Sequence, residues 1–179
     1  MPWKNGKGQT LEIARDPSEP FLWRVSSARL ETSGAFSVFP GYDRKLVLLD
    51  GPGIKLSGCS VAPLDIYSFQ GEDAEMAEVT SPCRDFNVFT LRGKVRVSLH
   101  VARSQEGEEV RFPYEGHEHF LFGVEGELEY LDQNSDQGGV LAAGETLWVT
   151  RPPDTNLLNL RSKAKGKLAI CLWVVITAE

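Results

Sequence analysis

At 179 residues, with 41% hydrophobic and 25% charged residues, the chain suits one domain or two tightly fused halves with a real core, outside the composition of disordered chains. A net charge of −6 and a pI near 5.2 argue against a general phosphate-backbone binder, because nucleic-acid affinity rests on clustered Lys and Arg. The most apolar stretch, Leu168 to Thr177, is about half of what a membrane-spanning helix needs. The sequence therefore predicts neither a nucleic-acid partner nor a membrane span.

In chain order, the predicted strands are Leu46-Val47-Leu48-Leu49, Asn87 to Leu91, Val95 to Leu99, Glu118 to Val124, Leu128 to Leu131 and Leu168 to Thr177. They are short, rich in apolar, β-branched or aromatic residues, and mostly bounded by Gly, Pro or Asp. From Val95 to Val101 the apolar residues Val95, Val97, Leu99 and Val101 alternate with Arg96, Ser98 and His100, the period of a strand with one buried face. No segment carries a long helical period. The basic run from Arg161 to Lys167 reads as a solvated loop between strands. Trp148 and Trp173, in apolar strand contexts, read as core residues.

A weak internal repeat adds architecture. Leu48-Leu49-Asp50-Gly51-Pro52-Gly53-Ile54-Lys55-Leu56 is an apolar strand, an acidic-Gly turn and a second strand, and Gly123-Val124-Glu125-Gly126-Glu127-Leu128-Glu129-Tyr130 reads likewise. Each is followed by a Pro-marked segment, Ala62 to Asp65 in the first and Ala142 to Pro153 in the second. That order resembles the cupin superfamily, which implies an all-β fold of two cupin-like β-barrels, a bicupin, fused into one compact unit. The expected halves are residues 1–100 and 101–179.

Cys59, Cys83 and Cys171 show no CxxC spacing and leave one cysteine unpaired, and the first residues lack a secretory pattern. Those features predict a reducing, cytoplasmic setting.

Denser motifs occupy the N-terminal half: Pro2-Trp3-Lys4-Asn5-Gly6-Lys7-Gly8-Gln9-Thr10, Leu22 to Ser26, Phe36 to Arg44, and Asp85-Phe86-Asn87-Val88. In that order they closely resemble the HutD/Ves family, over about the first 95 residues by motif and over the rest by general pattern. The resemblance implies a bicupin of the bacterial cytoplasm, associated with histidine utilisation or with stress response, and a ligand-sensing role rather than a catalytic one.

Lys4, Arg24 and Arg44 are cations set among apolar walls, Trp3, Phe36 and Phe39, and hydrogen-bonding residues, Asn5, Thr10, Ser26 and Ser37. Such a mixture suits a small carboxylate metabolite, since the Arg fork matches carboxylate geometry and small-molecule sites are mainly apolar with a few fixed polar groups. The family motif adds Asp85 and Asn87 to this set, and the implied role fits urocanate or a formylated glutamate. The ordinary structural alternative is that Asp43 and Asp85 simply pair with the arginines.

His117 and His119 would share one face of a strand and could chelate a metal. The pair stands too late relative to Gly126, and Arg151 to Asn156 supplies no later His after Gly144. We therefore expect no metal and no cofactor there, with the histidines on a strand surface or touching ligand. A metal-dependent cupin enzyme using His117 and His119 stays the alternative. No nucleophile elbow, P-loop or dinucleotide fingerprint appears. Asp85 or Glu72 could serve as a base in a barrel mouth, so catalysis stays open, as does a homodimer.

Overall fold

The computed structural model describes residues 8–133, 137–150, 157–163 and 167–179. The chain divides into two compact units, residues 1–95 and 96–179. Among the described residues the regular structure is all strand, and no helix is long and apolar enough to cross a membrane.

The first unit contains β1 (Gly8–Arg15), β2 (Trp23–Leu30), β3 (Gly34–Ala35), β4 (Tyr42–Leu48), β5 (Ile54–Leu56), β6 (Cys59–Val61), β7 (Ile66–Gln70), β8 (Met76–Val79) and β9 (Cys83–Leu91). They form a five-stranded sheet in the order β1-β2-β9-β4-β7 and a four-stranded sheet in the order β3-β8-β5-β6. Leu30, Leu46, Leu48 and Cys83 of the large sheet pack with Ile54, Leu56, Val61 and Ala77 of the small one. Between β4 and β5, the turn predicted at Asp50 to Gly53 needs glycine: Gly51 has φ +97°, and a Cβ there would lie 2.6 Å from that of Cys83.

The second unit contains β10 (Val95–Ser104), β11 (Glu109–Pro113), β12 (Glu118–Glu125), β13 (Glu127–Asp132), β14 (Gln137–Ala142), β15 (Thr146–Thr150), β16 (Leu157–Ser162) and β17 (Ala169–Ala178). Its two sheets run β10-β17-β12-β15 and β11-β16-β13-β14. Leu121, Cys171, Trp173 and Val175 of one sheet meet Phe112, Leu128, Leu141, Leu158 and Leu160 of the other. Along β10, Val95 and Leu99 are buried while Arg96, Ser98 and His100 are exposed, as the alternation requires. All three cysteines are free thiols, with Cys83 and Cys171 buried and Cys59 exposed.

Two sequence expectations are corrected. Trp173 is a core residue, but Trp148 is 49% exposed. It lies on the edge strand β15, stacks on Phe120 with ring centroids 5.5 Å apart, and donates its indole N–H to Glu118. The basic run is not simply loop either. Arg161 and Ser162 end β16, and Arg161 and Lys163 pair with Glu129 and Glu127.

Candidate functional site

Strand register gathers the predicted residues of the first unit. Across the large sheet Arg24 faces Phe89, Phe89 faces Arg44, and Arg44 faces Phe69. Two residues along, Ser26 faces Asn87, which faces Leu46; two further, Ala28 faces Asp85, which faces Leu48. Because side chains alternate along a strand, these residues share the inward face. The face grades from the apolar core at Leu48 and Leu30 to a charged end at Arg24 and Arg44. Thr10 on β1, opposite Ala28, borders this face, with Glu12 opposite Ser26.

Arg44 is the centre of that end. It is only 6% exposed. Its Nη2 donates to Asn87 Oδ1 at 3.1 Å and its Nη1 to the Ser37 carbonyl at 3.4 Å, both neutral partners. The guanidinium carbon lies 4.3 Å from the Phe89 ring centre, 4.5 Å from Phe69, 5.3 Å from Phe36 and 6.0 Å from Phe39. Burial lowers Arg44 to about 10, against the pull of Asp85, so it remains a cation at neutral pH. Burying a charge costs several kcal/mol, of which each desolvated ring contact returns up to about 2.

Arg24 and Asp85, the charges that share this face with Arg44, have other partners. Arg24 pairs with Glu12 at 2.9 Å and stacks over Phe89 at 5.5 Å. Asp85 is buried; it accepts from the Ala28 amide at 3.1 Å. Burial pushes its carboxyl up to about 6, although hydrogen bonds from Asn87 and Ala28 and the charge of Arg44 pull the other way. Ser26 is buried beside Asn87, Phe39 is half-buried, and Ser37 is exposed and contributes its carbonyl rather than its hydroxyl to Arg44. Trp3, Lys4 and Asn5 lie outside the described residues.

The structural alternative of Asp43 pairing with Arg44 does not occur. Asp43 pairs instead with Arg92 at 2.8 Å. Glu72 binds the same arginine through both oxygens, at 2.8 and 3.0 Å, in an exposed network that holds its carboxyl down to about 2. Both carboxylate oxygens of Glu72 are thereby committed to Arg92. Sequence reasoning missed Phe69, Phe89, Glu12, Tyr67 and above all Glu75. This last carboxylate is buried, accepts from Tyr67 Oη at 3.3 Å, and stands close enough to act on the charge of Arg44.

The histidines do not converge. His117 is exposed in the bend before β12, whereas His119 is fully buried on β12. The His119 ring stacks on Trp173 at 5.5 Å and meets Tyr114 edge-on at 4.9 Å. Its Nε2 lies 2.9 Å from the Gly116 carbonyl, to which it must donate. The expectation of a surface or ligand-contacting His119 is therefore corrected: the ring is core. Among the described residues no three His, Cys, Asp or Glu side chains cluster for a metal, and this donor set does not fit one.

Paired β-sheets in each unit, with a charged cluster at one end of the first inward face, define a bicupin-type protein. A solved cupin 2 conserved barrel domain protein from Leptotrichia buccalis shares the fold, with a TM-score of 0.60 at 12% identity over 95% of this chain and 89% of that one. The chain belongs to the HutD family, whose model matches residues 1–171. It is 39% identical over 108 residues to an uncharacterized 21.2 kDa protein in the hutC 3' region of Pseudomonas putida, covering 55% of this chain and 57% of that protein. It is 38% identical to protein Ves of Cronobacter sakazakii, over 56% of this chain and 60% of Ves. The chain thus spans less than two thirds of the length of these curated relatives. The solved structure of HutD from Pseudomonas fluorescens SBW25 (formate condition) superposes with a TM-score of 0.83 at 27% identity, over all of this chain and 93% of that one. A conserved protein of unknown function from Pseudomonas aeruginosa PAO1 gives 0.86 at 29%, with the same coverage.

Proposed function

We propose that this protein binds a small carboxylate metabolite in the N-terminal unit, without transforming it, and acts as a cytoplasmic sensor or modulator of histidine utilisation or stress response. The observation that carries the reading is Arg44, a buried cation walled by phenylalanines and hydrogen-bonded, among the described residues, only to neutral groups. An anion entering beside it supplies a direct ion-pair contact, which Asp85 and Glu75 act on only from a distance, and the ring walls exclude the water that would otherwise compete. Urocanate and a formylated glutamate fit this chemistry as acids of histidine breakdown. Support also comes from the relative located in a hutC 3' region and from the HutD structure obtained in a formate condition.

Titration calorimetry with formate, urocanate and N-formyl-L-glutamate tests the reading. Saturable binding of an acid by the wild type, lost in Arg44→Ala and weakened in the charge-conserving Arg44→Lys, is the expected result. No binding of any of the three acids would overturn it.

A further inference from the structure

The carboxylate of Glu75 lies within electrostatic reach of Arg44 and is left half-satisfied. It is 7% exposed, and its Oε1 takes the Tyr67 hydroxyl at 3.3 Å. Its Oε2 is buried with no hydrogen-bond partner among the described residues, and the same holds for Arg44 Nε. The neighbours that support Glu75 also support the walls of Arg44. The Glu75 carbonyl accepts from the amide of Phe36 at 2.9 Å, and the Tyr67 ring lies 5.7 Å from that of Phe69. Phe36 and Phe69 are two of the walls around Arg44.

We propose that Glu75, positioned by Tyr67, makes this site selective for acids that also carry an N–H donor, such as an amide, an imidazole or an ammonium group. The proposal rests on the acid-binding reading above and adds its second pole. Arg44 Nε is a buried donor awaiting an acceptor, and Glu75 Oε2 is a buried acceptor awaiting a donor. Both atoms are closed to solvent, so a ligand that parts the surrounding side chains and offers a carboxylate to one and an N–H to the other satisfies both. An acid without the N–H leaves the Glu75 charge unpaired, and a second carboxylate directed there meets repulsion. Glu75 therefore rejects simple dicarboxylates as well as attracting nitrogen-bearing acids. If its role were only to hold Tyr67, nothing would require the second oxygen to be buried unpaired.

Matched pairs of acids test this by calorimetry: N-formyl-L-glutamate against glutarate, and urocanate against 3-(2-furyl)acrylate, the second member of each lacking the N–H. In the wild type the nitrogen-bearing member of a pair should bind at least about tenfold tighter. In Glu75→Gln that preference should fall to within about threefold, with glutarate bound as well as before or better. Tyr67→Phe, which removes one hydroxyl, should weaken the preference in the same direction and carries the comparison if Glu75→Gln does not fold. Equal affinities within each pair in the wild type, or an undiminished preference in the variants, would overturn the role of Glu75 while leaving acid binding intact. If none of the four acids binds, the acid-binding reading itself fails, and this inference with it.

Discussion

Asn87 stands between a carboxyl and a cation: its Oδ1 accepts from Arg44 Nη2 at 3.1 Å, and its side chain also hydrogen-bonds to Asp85. The amide thus links the two buried charges without neutralising Arg44. Asn87→Asp would place an internal counter-ion at the same distance. We expect its affinity for carboxylates to fall at least about tenfold, because the anion then competes with an ion pair already made at Arg44 Nη2. Calorimetry with the tightest acid checks this, and unchanged affinity would mean that Arg44 is not the anchor.

Asp85 makes the fold sensitive to pH. Burial raises its carboxyl from 3.8 to about 6, so the folded state holds the proton more tightly than the unfolded chain. The corresponding stability is fully present below the unfolded value and is lost as pH rises through about 6. Asp85→Asn should remove that slope, gaining about 2 to 3 kcal/mol on the wild type between pH 4 and 7, apart from any constant offset. Urea denaturation at several pH values in that window measures the difference. Parallel curves for the two proteins would refute the assignment.

Gly71 has no room for a side chain. A Cβ there would lie 2.1 Å from the Phe39 carbonyl oxygen and 2.9 Å from that of Tyr42. The same glycine accepts from the Phe39 amide and donates to the Tyr42 carbonyl, both at 2.6 Å. Gly71→Ala should destabilise by about 1 to 3 kcal/mol and displace Phe39 from Arg44. Thermal melting and acid binding should decline together.

The two histidines separate cleanly. His119→Ala removes a fully buried ring stacked on Trp173 and should cost about 3 kcal/mol or more, whereas His117→Ala, at an exposed bend, should stay within about 0.5 kcal/mol. Chemical denaturation of both variants gives the comparison. Equal small effects would show that the His119 ring is not part of the core.

Where pattern and geometry coincide, the strands were readable: β10 alternates as its residues predict, and the apolar run ending at Thr177 is the buried strand β17. Trp148 was misread because Leu147-Trp148-Val149 looks alike on a central strand and on an edge where the ring folds down on a neighbour. Asp43 and Arg44 looked like partners, yet adjacent strand residues point to opposite faces, which sends Asp43 outward to Arg92. Glu75 left no signal. It is one of three acids in the loop from Gly71 to Glu75, of which Glu72 pairs with Arg92 and Asp73 accepts from the Gln70 amide. Only the fold sends the third inward.

The phenylalanine pair beside Arg44 has one more effect. Phe89 on β9 and Phe69 on β7 flank β4 from either side, with ring centres 4.3 and 4.5 Å from the guanidinium carbon. The two rings hold the cation by charge–quadrupole attraction from the strands on both sides of its own, so its position is set in part by contacts that do not titrate.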